Sequence, residues 1–417
     1  MQHVIIGNGP AGVIAAETLR RTDPQSSVRL IGDEPEPPYS RMALPYLLAG
    51  NIEEEGTHLR HGRDHWARRG IELSAGRVVK LDPARARVFL DDGSDIAFDR
   101  LLIATGSQAS RPPIPGMDLE GVENCWTLAD ARRIAATAKE GSQVVLMGAG
   151  FIGCIVLEAL AARGVKLTII EMEERMVPRM MDETGGDMIR RWCESKGIKV
   201  LTATRVEGLA KNNGKIELAL AGGGGVKADA VVCATGVKPN IGFFEGSGID
   251  TDVGVLVDHH LQTSIEGIYA AGDVAQGPEF FTGAREIHAI QPTASEHGRI
   301  AGLNMAGRPT RYGGSLSMNV LNTVGLISSS FGQWMGVEGG EETAAEEPAR
   351  SRYLKLAFKD DLLVGALALG LTQHVGVIRG LMQSKVRLGH WKERLMRDPA
   401  CVMEAYLART QGSSAGY

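Results

Sequence analysis

Cysteine is scarce in this chain: five residues in 417, at Cys125, Cys154, Cys193, Cys233 and Cys401, with no C-x-x-C pair. That spacing excludes a disulfide-stapled scaffold and any zinc or iron–sulfur cluster held by this chain alone. A reducing cytoplasm is the compartment it suggests. Positive charge is not in excess either. Lys and Arg number 45 against 50 Asp and Glu, a net charge of −5, so there is no nucleic-acid signature. No apolar run approaches the roughly 18 residues that a membrane-spanning helix needs. The N-terminus enters a strand at once, with no basic segment before a cleavable apolar one, so no secretory signal is expected. Low-complexity tracts are missing as well. The 53 glycines sit in motifs and turns.

What is present is the composition of a globular protein, 43% hydrophobic and 23% charged, long enough for two or three domains. The first thirty-odd residues carry the main signal. His3-Val4-Ile5-Ile6 is a short apolar strand. It runs into Gly7-Asn8-Gly9-Pro10-Ala11-Gly12 and then a helical stretch, Val13 to Arg21. A dinucleotide pyrophosphate needs this layout: Gly7 for the tight turn, Gly9 to leave the phosphates room, Gly12 for helix–strand packing, and free N–H groups at the helix start. A second strand, Val28 to Ile31, ends at Gly32-Asp33-Glu34, where an acid grips an adenosine ribose about twenty residues past the glycines.

From Glu34 to Gly50 the prolines forbid a regular helix at first, giving a shaped loop that enters a short helix. An amphipathic segment follows (Asp64 to Arg69), then Arg87–Leu90 and Asp95–Phe98 flanking Asp91-Asp92-Gly93, a hairpin signal. Leu101-Leu102-Ile103 ends in the turn Ala104-Thr105-Gly106. The stiff Arg111-Pro112-Pro113-Ile114-Pro115-Gly116 then marks a domain boundary.

The same plan recurs beyond it. Gln143 to Met147 is a strand, Gly148-Ala149-Gly150-Phe151-Ile152-Gly153 the turn, and Cys154 to Arg163 a helix. The next strand, Lys166 to Ile170, is capped by Glu171. A carboxylate there accepts from ribose hydroxyls and repels a 2′-phosphate, so NAD(H) is expected over NADP(H), although Arg175 is near. Ala230 to Cys233 runs into Ala234-Thr235-Gly236, an echo of the earlier turn. Further on, Gly267 to Ala271 is a strand ending in Gly272-Asp273, and the chain becomes helical near Pro292. From Arg311 the texture changes: strands at Leu354–Phe358 and Leu362–Leu369, an acidic loop (Glu338 to Glu347), a basic helix from about Val375 to Met396, and a frayed tail, Thr410 to Tyr417.

These motifs, in this order, resemble the FAD-dependent pyridine nucleotide-disulfide oxidoreductases. The chain looks similar to their non-thiol branch of rubredoxin and ferredoxin reductases and NADH-nitrite reductase. Within that branch it resembles the flavoprotein subunits that couple NAD to phenylglyoxylate dehydrogenase or to tungsten aldehyde oxidoreductase. The resemblance implies an α/β fold of two Rossmann-like domains, the NAD domain (114–237) inserted in the FAD domain (1–113 and 238–310). A C-terminal α+β interface domain (311–417), which commonly dimerises, would complete it. It implies FAD and NAD(H) as cofactors. Asp273 would hold the flavin's ribityl chain or phosphate. The helix starting near Pro292 and Thr293 would point its positive end at the isoalloxazine N1–C2=O edge.

The departures matter too. Thiol-bearing relatives carry a cysteine in the loop after the first acid, and Leu44-Pro45-Tyr46 aligns that position with Met42. A thioether forms neither a thiolate nor a mixed disulfide. Relatives of the ferredoxin-reductase type often have a Lys where Tyr46 stands and a Glu where Ile155 stands, so a Lys–Glu pair beside the flavin should be absent. No catalytic acid or base is expected, because stacking and orientation of the cofactors suffice for hydride transfer. With no thiol and no cluster, electrons must leave to an iron–sulfur or rubredoxin-like partner, with a 2-oxoacid or aldehyde oxidoreductase complex as the setting. An oxygen-reducing NADH oxidase and a redox-sensing flavoprotein are the alternatives.

Four further features have two readings each. Arg41 either reaches the flavin or fixes its loop in an ion pair. His58, His61 and His65 read as a solvated segment rather than a metal site, and Cys154 as packing rather than a reactive thiol. The basic helix either docks an acidic carrier or is a solvated face.

Overall fold

Apolar strands bounded by glycine turns dictate the architecture. The computed structural model describes residues 1–62 and 64–411. In chain order its main elements are β1 (Gln2–Ile6), α1 (Pro10–Thr22), β2 (Ser27–Gly32), β3 (Ile71–Ala75), β4 (Arg100–Ile103), β5 (Val122–Asn124), β6 (Gln143–Met147), α2 (Phe151–Ala162), β7 (Lys166–Ile170), α3 (Glu183–Ser195), β8 (Lys199–Leu201), β9 (Ala230–Cys233), β10 (Ile268–Ala270) and α4 (Gln291–Met305). Then come β11 (Met318–Thr323), β12 (Leu326–Gly332), β13 (Glu341–Glu347), β14 (Arg352–Lys359), β15 (Leu362–Leu369), α5 (Val375–Gln383) and α6 (Trp391–Arg397). The chain divides into two compact units, Met1–Gln108 with Val237–Ser315, and Ala109–Gly236 with Leu316–Tyr417.

The first unit is built on a parallel sheet in the order β10-β4-β1-β2-β3. Its central strands are buried on both faces, as a parallel sheet covered by helices requires: Val4, Ile5, Leu30, Leu101, Leu102 and Ile103 are fully buried. Each such side chain contributes about 1.5–3 kcal/mol. Helix α4 lies directly on α1 because two of its residues have no side chain. A Cβ on Gly298 would stand 2.2 Å from the Ala11 carbonyl oxygen, and one on Gly302 would stand 3.0 Å from that of Ala15. The Arg87–Leu90 hairpin pairs with Asp95–Ala97 as its turn signal predicts.

The histidine-bearing segment is tied to α1. Buried Glu17 takes a two-pronged ion pair from Arg60 at 2.7 and 2.6 Å, and His65 Nε2 lies 3.1 Å from the same carboxylate. Burial pushes the Glu17 carboxyl up, but the Arg60 and His65 contacts outweigh it and hold the carboxyl below its usual range. A carboxylate depressed in the folded state stabilises the fold above its unfolded pKa, and that contribution fades as the pH falls through the carboxylate range. Glu17→Gln should therefore lower stability by about 1–3 kcal/mol at neutral pH. In urea titrations the gap to wild type should narrow as the pH falls through and below the usual glutamate range, and a pH-independent gap would contradict this origin.

The second unit repeats the plan with a parallel sheet ordered β8-β7-β6-β9-β5. A C-terminal antiparallel sheet ordered β11-β12-β15-β14-β13 belongs to the same unit. Side chains join the two sheets. Glu158 on α2 accepts from Asn322 Nδ2 at 3.2 Å and from the Val324 N–H. Trp192 on α3 donates to the Val324 carbonyl at 3.0 Å. Asp182, the N-cap of α3, accepts the Tyr353 hydroxyl at 2.7 Å.

Three expectations change here. Glu338 to Glu347 is not simply a loop, because Glu341–Glu347 forms the edge strand β13, paired along its length with β14. With neither face buried it shows no apolar alternation, and its glutamates discourage edge-to-edge pairing. The basic helix is two helices. Lys385 and Gly389 take positive φ (46° and 59°) between α5 and α6, and Leu388 is buried there with its N–H on the Asp361 carbonyl. Helix α2 begins at Phe151 rather than Cys154, since Gly150 in an extended conformation is already its N-cap. Of the expected frayed tail, 412–417 lie outside the described residues, and Thr410 lies in the last turn of the helix Val402–Gln411.

Candidate functional site

Each parallel sheet ends in a glycine cradle of the same build. In the first, the Gly7 N–H bonds the Ile31 carbonyl and the Ala104 N–H bonds that of Ile6; in the second, Gly148 bonds Ile170 and Ala234 bonds Met147. Gly7 and Gly148 take φ of +106° and +97°, and a Cβ on either would collide with the carbonyl of Ala104 or Ala234. Gly12 and Gly153 are as tightly enclosed, with a Cβ falling 1.9 Å from the Gly7 oxygen and 2.2 Å from the Gly148 oxygen. The middle glycines differ. A Cβ on Gly9 or Gly150 meets no atom within 4 Å. Four glycines are thus required by the protein's own packing, while two face open space that the fold does not fill.

The helix starts agree. Pro10 and Ala11 open α1, Phe151 and Ile152 open α2, and Pro292 and Thr293 lie in the first turn of α4. None of these three helices has a side-chain cap or an acidic residue in its first turn. By contrast Asp182 caps α3, and Thr127 with Asp130 forms a capping box on the helix Leu128–Thr137. Uncapped N–H groups at a glycine cradle suit an external anion. The residues therefore fit two pyrophosphates, one per cradle.

In the first unit the expected motifs converge. A Cβ on Gly272 would sit 3.2 Å from Ala11 Cβ and 3.5 Å from Ala294 Cβ, so the first cradle, the Gly272-Asp273 turn and the start of α4 meet. Asp273 accepts the Ser107 hydroxyl at 2.9 Å. Burial raises its pKa, against the pull of Ser107 and the Arg41 charge. Thr105 and Gly106 are locked by Asn240. The Thr105 hydroxyl donates to the Asn240 carbonyl at 3.1 Å, Asn240 Nδ2 returns a bond to the Thr105 carbonyl at 2.9 Å, and the Asn240 N–H reaches the Gly106 carbonyl at 3.0 Å. Ser107 and Asn240 were not singled out from the sequence. The available signal was that Ser107 directly follows the Ala104-Thr105-Gly106 turn.

The acids behave differently in the two cradles. Glu171 is buried, and its carboxylate accepts the Ala149 N–H at 2.6 Å and the Glu173 N–H at 2.9 Å, which fixes it against the glycine turn. The matching position in the first unit is Gly32, where a Cβ would lie 2.2 Å from Asn8 Nδ2. The Asn8 amide occupies the place of that carboxylate. Of the two acids next to it, Asp33 is exposed. Glu34 accepts the Tyr39 hydroxyl and pairs with Arg41 Nη2, both at 2.6 Å, so the structure gives Arg41 the loop-fixing ion pair. Arg175 donates to the Met181 and Pro178 carbonyls at 3.1 and 3.3 Å and so is committed to its own loop. Gly236 takes φ +116° with open space beside it. Cys154 packs fully buried, and burial raises its thiol far above the reactive range.

A family model described as pyridine nucleotide-disulphide oxidoreductase matches residues 1–287. The chain belongs to this family. It is thus an oxidoreductase that uses FAD and NAD(H). It is 32% identical, over 98% of both chains, to the NADH-dependent phenylglyoxylate dehydrogenase subunit epsilon of Aromatoleum evansii. It is 31% identical to the NADH oxidase of Methanocaldococcus jannaschii, over 75% of this chain and 71% of the relative. A solved NAD-dependent persulfide reductase from A. fulgidus superposes with a TM-score of 0.86 at 27% identity, over 94% of this chain and 78% of that one. All five cysteines of this oxidoreductase lie in its second unit, Cys125, Cys154, Cys193 and Cys233 buried and Cys401 partly so. Met42, the residue expected from the sequence at the place of the family's loop cysteine, lies in the first unit and is 44% exposed. No helix among the described residues is long and apolar enough to cross a membrane.

Proposed function

We propose that this chain is the NAD-coupling flavoprotein of a larger redox system. It exchanges hydride between NAD(H) and FAD, and passes electrons singly to or from an iron–sulfur or rubredoxin-like partner. The setting we favour is a cytoplasmic 2-oxoacid or aldehyde oxidoreductase complex. The observation that carries the reading is the thiol-free first unit: with Met42 in the loop, electrons have no disulfide to enter. The near full-length match to the subunit epsilon of phenylglyoxylate dehydrogenase supports the setting.

FAD would occupy the first cradle and NAD(H) the second. Gly7, Gly9 and Gly12 with the start of α1 would take one pyrophosphate, and Gly148, Gly150 and Gly153 with α2 the other. Asp273, held by Ser107, would orient the ribityl chain. Asn8 and Asp33 would face the first ribose, while Glu171 would accept from the second. When bound, the flavin supplies the exchange between a hydride and single electrons. The protein's part is to hold both rings and keep water away.

Glu171→Ala should raise the NADH KM about tenfold, with little change in kcat, and narrow the preference over NADPH. A buried hydrogen-bonded carboxylate is worth about 1.5–3 kcal/mol, and tenfold is 1.4. Steady-state kinetics with both nucleotides check this.

The central test is anaerobic. The purified protein should be yellow, should bleach with NADH, and should then reduce ferricyanide. Failure to bleach at saturating NADH would overturn the reading. Oxygen consumption matching NADH loss would favour an oxidase, as the Methanocaldococcus jannaschii relative suggests. Very slow bleaching coupled to redox-dependent association would favour a sensor.

A further inference from the structure

The hydroxyl of Ser40 reaches across the first unit to the first residue of α4. Ser40 Oγ stands 2.5 Å from Gln291 Oε1, a bond between residues 251 apart in the chain. Ser40 is the N-cap of the short turn Arg41–Ala43, a place where serine ordinarily bonds its own helix start, yet no side-chain cap forms there. The distance suits O–H···O rather than N–H···O, so the hydroxyl donates to the amide oxygen. That bond decides which way round the Gln291 carboxamide sits. Its oxygen is taken, and its two N–H donors are left over. Among the described residues no other hydrogen bond engages this amide, and Gln291 is only partly buried.

Helix packing shows where those donors stand. Helix α4 runs beside α1 in the same direction, Gly298 over Ala11 and Gly302 over Ala15. Gln291 is seven residues ahead of Gly298, on the same stripe of the helix and about 10 Å nearer its start. At that level α1 has no residue, because it begins at Pro10, one residue before Ala11. Side chains lean toward a helix's N-terminus, which carries the amide further forward. It therefore lies ahead of the first cradle, where Gly9 and the uncapped start of α1 leave room. The loop that holds the amide is itself anchored. Arg41, next to Ser40, pairs with Glu34 at 2.6 Å, and the Ser40 N–H bonds the Thr57 carbonyl at 2.9 Å. Cradle, α4 and loop border one space, and the Ser40–Gln291 bond joins two of its sides.

We propose that the Gln291 carboxamide, aimed by Ser40, donates an N–H bond to an acceptor on the pyrimidine edge of bound FAD. The inference rests on the reading above that FAD occupies the first cradle. Gln291 would then be a flavin-binding side chain, and Ser40 a positioning residue that acts through it. The amide suits the place: it carries no charge to bury, and its donors are held by a bond made elsewhere in the fold, so little freedom is lost when the ring arrives. A preset donor is worth more to a charged acceptor than to a neutral one. The bond therefore strengthens when hydride delivery brings negative charge to the ring, and Gln291 favours the reduced state. Without the Ser40 hydroxyl the amide rotates freely and that preference fades.

The test is the midpoint potential of bound FAD, titrated without oxygen at one pH. Gln291→Leu should disfavour reduction about tenfold, which for an electron pair lowers the midpoint by about 30 mV. Gln291→Glu should lower it further, because a carboxylate then faces the incoming charge. Ser40→Ala should move the midpoint the same way, and Ser40→Thr, which keeps the hydroxyl, should restore it. Added to Gln291→Leu, Ser40→Ala should change nothing more. A clasp that only stiffens the fold would lower the melting temperature and leave every midpoint in place. Equal midpoints in wild type, Gln291→Leu and Gln291→Glu overturn the proposal and leave the FAD reading intact. A further drop from Ser40→Ala on the Gln291→Leu background overturns the role given to Ser40. If Gln291→Leu does not hold flavin, the serine variants decide: a lowered midpoint in Ser40→Ala alone supports the proposal, and equal ones refute it. Colourless wild-type protein ends the FAD reading itself.

Discussion

Gly9→Val should give a folded protein without flavin, and Gly12→Val should give little folded protein at all. The two glycines belong to one motif, but their surroundings are opposite. Gly9 has φ −73° and ψ −173°, a conformation open to any residue, and a Cβ there touches nothing within 4 Å. The valine methyls would project into the space left for the pyrophosphate. Displacing that contact should weaken FAD binding by at least about 100-fold, near 3 kcal/mol. At Gly12 a Cβ would be forced to 1.9 Å from the Gly7 carbonyl oxygen, which only a shift of α1 away from the sheet relieves. Such overpacking costs several kcal/mol in a protein whose whole margin is about 5–15 kcal/mol. Absorbance of bound flavin, far-ultraviolet circular dichroism and thermal melting of both variants measure the contrast. A yellow Gly9→Val protein would refute the assignment of the first cradle.

Gly150→Val is the matching experiment on the second cradle, and its outcome should be different in kind. Gly150 has φ −72° and ψ −171°, with no atom within 4 Å of a Cβ. The first unit is untouched, so flavin should be retained in full and dithionite should still bleach it. Reduction by NADH should slow about 100-fold or more at fixed, subsaturating nucleotide, because the lost interaction is nucleotide binding. Stopped-flow absorbance without oxygen reads the rate directly. Equal loss of NADH and dithionite reactivity would mean that the cradles do not divide the cofactors in this way.

The two cradles show where sequence reading succeeds. Gly7-x-Gly9-x-x-Gly12 and Gly148-x-Gly150-x-x-Gly153 are local signals, because turn, strand end and helix start lie within a dozen residues. Their geometry follows from which residues lack a side chain. The acid of the first cradle shows where it fails. Counting residues points to Asp33 or Glu34. Whether either is available depends on Asn8, twenty-five residues earlier, filling the space over Gly32, and on Arg41 and Tyr39 claiming Glu34. The C-terminal region failed for a related reason. Strand β13 has four glutamates and no buried face, so its pairing with β14 supplies what no periodicity reveals.

By itself the sequence determined the outline: two glycine cradles, their order along the chain, and a first unit without a cysteine. Those features reside in short stretches whose backbone needs are met locally. Only the tertiary structure decided which glycines face open space and which are locked, and that Glu171 is pinned to its own turn while Arg175 is committed elsewhere. Such facts depend on contacts between residues far apart in the chain, and close packing, which no linear pattern encodes, settles them.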